Sequence, residues 1–320
     1  MPLLTLPPSE TAPALAGLTS YLVASLRLSV PIAYAALGGL LCERSGILNI
    51  GLEGILLTGA FTGAATAYFT NNVAIATLVA LSSGALVGLL HAYLCVTLRV
   101  NQLVSGLAIN LAASGLTAFF SRLVFVEGTA RELPAIPAWP IPLLQELPVL
   151  GPLCFQQDPL LYLLIALVPL ITYLLFRTSV GLTLRAVGEY PRAADTAGIR
   201  VGWVRYLSVM VGGALTSLGG VYLALVHVRF FTEDMSAGKG FIALAALIFG
   251  KWQPLQTLLA ALLFGATDAL QLRIQTFDID IPYQFLLMLP YLVALLALIG
   301  WVGRSSSPAA LGQPYIKESR

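Results

Sequence analysis

The chain is a succession of long apolar runs separated by short polar or glycine-rich breaks. A helix needs roughly 20 mostly apolar residues to cross a bilayer core. By that measure, full-length spans are predicted at Leu18–Leu41, Gly51–Phe69, Val73–Leu98, Leu103–Phe120, Leu160–Phe176, Tyr206–Val228, Leu255–Leu272 and Ile281–Val302. A shorter apolar piece covers Gly240–Phe249. Arg27 and Pro31 interrupt the first run and make it the least regular of the set. No segment shows the alternation of a transmembrane β-strand. The pattern predicts an all-α, polytopic transmembrane helix bundle of about 8–10 spans.

Composition agrees. Hydrophobic residues make up 58% of the 320 positions and charged residues 10%, whereas soluble domains carry about 25% charge. So little charge cannot cover a water-facing surface. A nucleic-acid binder, a disordered chain and a secreted disulfide scaffold are excluded. Cys42, Cys95 and Cys154 are far apart and in no metal-ligand spacing, so they are expected as small core residues and no metal site is expected. The first basic residue is Arg27, so no cleaved signal is expected. No Walker A sequence and no nucleophile–base pair occur. The chain is expected to be no enzyme.

Lys and Arg set the orientation. If the loop Arg177–Arg205 is cytoplasmic, alternation puts Arg44, Arg99, Lys251, Arg304, Lys317 and Arg320 on its side. Arg122, Arg131, Arg229, Lys239 and Arg273 fall on the other. The bias favours this arrangement, with the C-terminus inside, provided the short piece crosses. One permease-like membrane domain then covers 1–304, with a polar, loose cytoplasmic tail at 305–320. The outer loop, about 125–159, is rich in proline and is expected to be a compact cap of short turns.

Three segments carry most of the information. The inner loop, about 177–205, holds Arg185, Glu189, Arg192, Asp195 and Arg200 around a short helix opened by Pro191 and stopped near Gly198. It is either a solvated basic connector or a handle for a cytosolic partner. Cys42–Gly54 is polar and glycine-rich, and Asn49 and Glu53 share a face if it is helical. A carboxylate at the start of an apolar span is costly and points to a cavity or a partner. Ser236–Trp252 is a second glycine-framed piece. Its fifteen residues from Ser236 to Gly250 rise about 22 Å, less than the bilayer core of about 30 Å. One such piece in each half matches the pattern of transporters with internal structural repeats. Gly59 with Gly63, Gly84 with Gly88, and Gly212 with Thr216 and Gly220 have the spacing of close helix contacts. His91 and His227 are isolated and are expected to pack.

Three stretches, Glu43–Ala64, Leu184–Leu225 and Gly238–Trp252, resemble the membrane subunits of ATP-binding-cassette importers of the branched-chain amino acid, ribose and simple-sugar permease superfamily. Within it they are most similar to nucleoside and simple-sugar permeases. The resemblance implies a coupling helix near Glu189–Gly198, docked on a separate ATPase subunit that binds ATP and Mg. Arg185, Glu189, Arg192, Asp195 and Arg200 would serve that contact. It also implies a translocation path near the two glycine-framed pieces, with Asn49, Glu53, Lys239 and Phe241 as candidates. Further implied partners are a second, related permease subunit and an extracytoplasmic substrate-binding lipoprotein, in the cytoplasmic membrane of a prokaryote. No cofactor is expected on the chain itself. The implied function is half of an uptake path for nucleosides or simple sugars. The alternatives are a permease for another small solute, such as an amino acid, and an ion-coupled secondary transporter, for which Glu53 and Asp268 are the only acidic candidates. A scaffold or receptor subunit without a pore is a further alternative.

Overall fold

The computed structural model describes residues 8–125, 132–142, 144–275, 284–285, 288–300 and 307–316. Its helices are α1 (Pro8–Arg44), α2 (Leu52–Thr70), α3 (Val73–Ala92), α4 (Gln102–Val124), α5 (Pro159–Arg177), α6 (Ser179–Glu189), α7 (Pro191–Thr196), α8 (Val201–Tyr222), α9 (Lys239–Phe249), α10 (Pro254–Ile274) and α11 (Leu289–Gly300). π-helical turns extend α3 over Tyr93–Thr97 and α8 over Leu223–His227. There is no strand among the described residues.

Six segments are long and apolar enough to cross a membrane: Leu15–Arg44, Val73–Thr97, Gln102–Val124, Pro159–Arg177, Val201–His227 and Pro254–Ile274. The chain is a multi-pass membrane protein. The expected span Gly51–Phe69 is a helix, α2, but its threonines and glycines make it less apolar than the six. Much of it is buried against other helices. The expected span Ile281–Val302 falls partly outside the described residues.

α1 is the central post. Val30, Ile32–Leu37 and Leu40 have no exposed surface. The helix runs unbroken through Arg27 and Pro31. Proline removes only the N–H that would bond the carbonyl of Arg27, and neighbours hold the helix on both sides. Arg27 stands exposed towards the outer end, where Nε donates to Gln157 Oε1 at 3.1 Å.

α8 packs against α1, α2 and α3 through small residues. A Cβ at Gly212 would meet the carbonyl of Gly38 at 2.5 Å, and one at Gly59 would meet the Cα of Ser217 at 2.6 Å. A Cβ at Gly88 would meet the carbonyl of Val209 at 2.6 Å, and Gly84 and Gly213 face one another's backbones. The glycine spacings in the sequence are therefore the seams along which backbones touch.

Two polar ends frame the bundle. Arg44, α6, α7, the start of α8, Trp252 and the segment 307–316 meet at one end. At the other, the proline-rich loop folds over the outer end, with Leu133 N donating to Arg229 O at 3.0 Å and Trp139 N to Gln157 O at 2.8 Å. The short piece and its lead-in together carry the chain from one end of the bundle to the other. Residues 229–238 run down along α4, pinned by Arg122 to Glu233 and by Ser114 to Asp234, and α9 completes the passage to Trp252.

Two expectations are corrected. Cys42 and Cys95 are buried as core residues, but Cys154 is exposed. The tail is not loose over 307–316. Ala310 is buried, its N–H donates to Gly188 O at 2.9 Å, and Gly312 N donates to Gly46 O at 3.2 Å.

Candidate functional site

Between α1 and α2 the chain leaves helix at Ser45 and resumes at Leu52. Irregular backbone is tolerated at membrane depth only where protein satisfies it. Here side chains of α3 and α4 do so. Gln102 Oε1 accepts from Leu48 N at 2.7 Å, and His91 Nε2 lies 3.1 Å from Leu48 O. Asn110 Nδ2 donates to Ile50 O at 3.1 Å, while its Oδ1 accepts from Gly54 N at 2.8 Å. Gly106 gives the link its room, since a Cβ there would come within 2.9 Å of Gly51 N.

Asn49 belongs to this lock. Its side chain is fully buried, accepts from Gly51 N at 3.0 Å and donates towards Cys42 Sγ at 3.7 Å. Asn49 and Glu53 therefore do not share a helical face, because α2 begins between them.

Glu53 faces the other way and joins the two glycine-framed pieces. Oε1 accepts from Ser236 Oγ at 2.6 Å and from Gly238 N at 2.8 Å, and Oε2 accepts from Gly240 N at 2.6 Å. A carboxylate at a helix N-terminus satisfies otherwise orphaned N–H groups and complements the helix dipole. Gly238 has φ +82°, a conformation that suits glycine, and a Cβ at Gly240 would collide with the backbone of Glu53. Lys239 opens α9 half-buried, and Phe241, two residues on, is exposed. Glu53 thus meets the backbone on either side of Lys239, and Asn49 does not join it.

α9 is held at its far end as well. Trp252 Nε1 donates to Glu43 Oε2 at 2.6 Å, and Arg44 donates to Trp252 O through Nε at 3.0 Å and Nη2 at 2.6 Å. In the segment leading to α9, Arg122 Nε and Nη2 bond the two oxygens of Glu233 at 2.7 and 3.0 Å. These bonds hold the Glu233 carboxyl below its ordinary pKa.

At the inner end, α6 and α7 form an elbow. Thr178 caps α6, and Pro191 opens α7. Gly198, with φ +85°, ends the turn after it, as the sequence indicates. Val187, Ala194 and Val201 form its small core. Arg185 and Arg44 lie over the Phe176 ring at 5.2 and 5.6 Å. Glu189 Oε2 accepts from Ala309 N at 3.1 Å. Arg192 and Arg200 are exposed and Asp195 is half-buried. The five charged residues sit on one compact unit, with Arg192 and Arg200 outermost, Arg185 turned in against Phe176 and Glu189 bonded to the segment 307–316.

Residues 21–299 match the family of branched-chain amino acid transport system permease components. The chain belongs to this permease family. It is 42% identical to the guanosine ABC transporter permease NupQ of Bacillus subtilis, over 93% of this chain and 96% of that one. It is 38% identical to the nucleoside ABC transporter permease NupC of Lactococcus lactis, over 90% and 94%. A second permease of the same L. lactis strain, NupB, is 25% identical over 75% and 69%. The protein is therefore a transport component rather than an enzyme, and its family works with an ATPase partner.

Several residues of this permease's site escaped the sequence reading. Gln102 and Asn110, and Ser105, whose Oγ lies 2.9 Å from His91 Nδ1, signalled themselves as polar positions at or within an apolar span. Trp252 and Ser236 gave no such signal, because their partners lie about 180 to 210 positions away.

Proposed function

We propose that this permease forms half of an ATP-driven uptake path for nucleosides in the cytoplasmic membrane of a prokaryote. The observation that carries this is the likeness to NupQ and NupC across nearly the whole of all three chains. The second half of the path is a related permease. The match to both NupB and NupC of one organism supports such a pair. An extracytoplasmic lipoprotein delivers the solute, and ATP and Mg bind the ATPase subunit.

The path runs beside the start of α9. Lys239 and Phe241 contact solute, with the exposed Phe241 ring offering a face to a planar base. Glu53 holds the start of α9 in place from behind. Proteoliposomes with both permeases, the ATPase and the receptor should take up guanosine only with ATP, and glucose should not compete. Guanosine should also protect a cysteine placed at Phe241 from a polar thiol reagent. Uptake driven by an ion gradient without ATP would overturn this reading.

The α6–α7 elbow is the ATPase-docking element, carried by Arg185, Glu189, Arg192, Asp195 and Arg200. Arg192→Glu with Asp195→Arg leaves the elbow's net charge unchanged but reverses its pattern. It is expected to weaken ATPase capture about tenfold or more, since misplaced interfacial charge costs several kcal/mol, and to leave membrane insertion intact. Copurification of the ATPase at the unmodified level counts against docking here.

A further inference from the structure

The segment 307–316 lies where the elbow, α1 and α8 converge, and it touches all three. Ala310 N donates to Gly188 O, at the end of α6, at 2.9 Å. Ala309 N donates to Glu189 Oε2 at 3.1 Å. Gly312 N donates to Gly46 O, just beyond α1, at 3.2 Å. Arg205, near the start of α8, is 1% exposed, and its Nη1 donates to Gln313 O at 3.1 Å. Its Nε and Nη2 find no acceptor among the described residues. Tyr315 packs against the Val187, Ala194 and Val201 core of the elbow. A cleft of about 370 Å³ remains between the elbow and this segment, bounded by Tyr190, Arg192, Gln313 and Ile316.

A solvated tail has no reason to spend backbone N–H groups on two other segments, or to lay a carbonyl over a buried guanidinium. A buried cation needs acceptors, and here a tail carbonyl supplies one. The elbow itself has a core of only three small buried side chains. It touches α1 directly at Gly188, where a Cβ would collide with the backbone of Arg44, and Ala309–Ile316 adds a second attachment beside that contact.

We propose that Ala309–Ile316 is a strap that fastens the α6–α7 elbow to α1 and α8, with Arg205 as the positioning residue beneath it. Movement of the elbow then reaches α1 and α8, the two most buried of the long helices, through the strap as well as through the Gly188 contact. The part of the proposal that concerns coupling rests on the reading that the elbow docks the ATPase. The strap itself does not.

The test compares the assembled transporter carrying Ala310→Pro with one carrying Arg205→Gln. Proline removes the N–H that bonds Gly188 O and leaves every membrane helix untouched. It keeps the proposal testable if Arg205→Gln fails to fold. Two readouts are taken. The first is the rate of trypsin cleavage at Arg185, Arg192 and Arg200 in the purified permease pair. The second is solute taken up per ATP hydrolysed in proteoliposomes. With the strap loosened, elbow cleavage should quicken and uptake per ATP should fall, each about tenfold, in the range of ordinary coupling effects. The ATPase should still copurify. Arg205→Lys should recover part of the uptake per ATP. Unchanged elbow cleavage in Ala310→Pro overturns the strap, whatever the elbow docks. Faster cleavage with unchanged uptake per ATP overturns its role in coupling. Failure of the docking reading shows separately, as full ATPase capture by the Arg192→Glu, Asp195→Arg protein, and removes the coupling half while the cleavage result stands.

Discussion

Replacing Glu53 by glutamine should lower the melting temperature of the purified permease by about 5–10 °C and cut uptake more than tenfold. The carboxylate accepts from Ser236 Oγ, Gly238 N and Gly240 N, all three within 2.8 Å. Glutamine keeps one acceptor oxygen and turns an NH₂ towards at least one of these donors. A hydrogen bond to a charged group contributes about 1.5–3 kcal/mol, and a buried donor left without a partner costs about 1–3 kcal/mol. The sum is a large share of a typical stability of about 5–15 kcal/mol. Ser236→Ala removes one hydroxyl donor and leaves the two backbone bonds, so its loss should be near 1 kcal/mol. Thermal unfolding in detergent and uptake in proteoliposomes measure both. Equal melting temperatures for the glutamine variant and the unaltered protein would show that α9 is held by something else.

Gly220→Val should yield no folded permease. A Cβ at this position would run into Leu56 O and Ala60 N, which belong to α2. Overpacking in a core costs typically about 1–3 kcal/mol when side chains can adjust. Here the obstacles are backbone atoms of a helix that is itself packed against α3 and α4, so the cost lies at or above the top of that range. Gly115→Ala in α4 is the control, since a Cβ there meets nothing within 4 Å. Size-exclusion profiles of the two variants after extraction should differ sharply. A monodisperse, active Gly220→Val protein would mean that α2 and α8 are not in the contact described.

The sequence revealed what depends on local spacing. Gly212, Thr216 and Gly220 recur every four residues, and that period alone marks the face of α8 that approaches its neighbours. Pro191 and Gly198 mark α7 for the same reason, since each acts on its own φ. The span pattern found every long helix among the described residues. What stayed hidden depends on partners far along the chain. Nothing near Glu53 announces Ser236 or Gly240, and nothing near Leu48 announces Gln102 or His91. The tail was misjudged because its main chain makes most of the bonds, and a main-chain N–H leaves no mark in a sequence. α1 was judged irregular because proline normally ends a helix in water. In a crowded bundle one lost bond is a small fraction of the contacts that keep the helix continuous.

The double fastening of α9 has a consequence for biogenesis. Eleven residues of helix cover about 16 Å, near half of the hydrocarbon thickness. Such a segment cannot enter lipid as an independent unit. It leaves the ribosome after Glu43, Arg44 and Glu53 have been threaded, and those groups hold the acceptors and donors that its two ends require. The late part of the chain is thus moulded onto the early part. A defect at Glu43 or Glu53 should surface as a failure to insert some 190 residues downstream, long after the damaged codon has been translated.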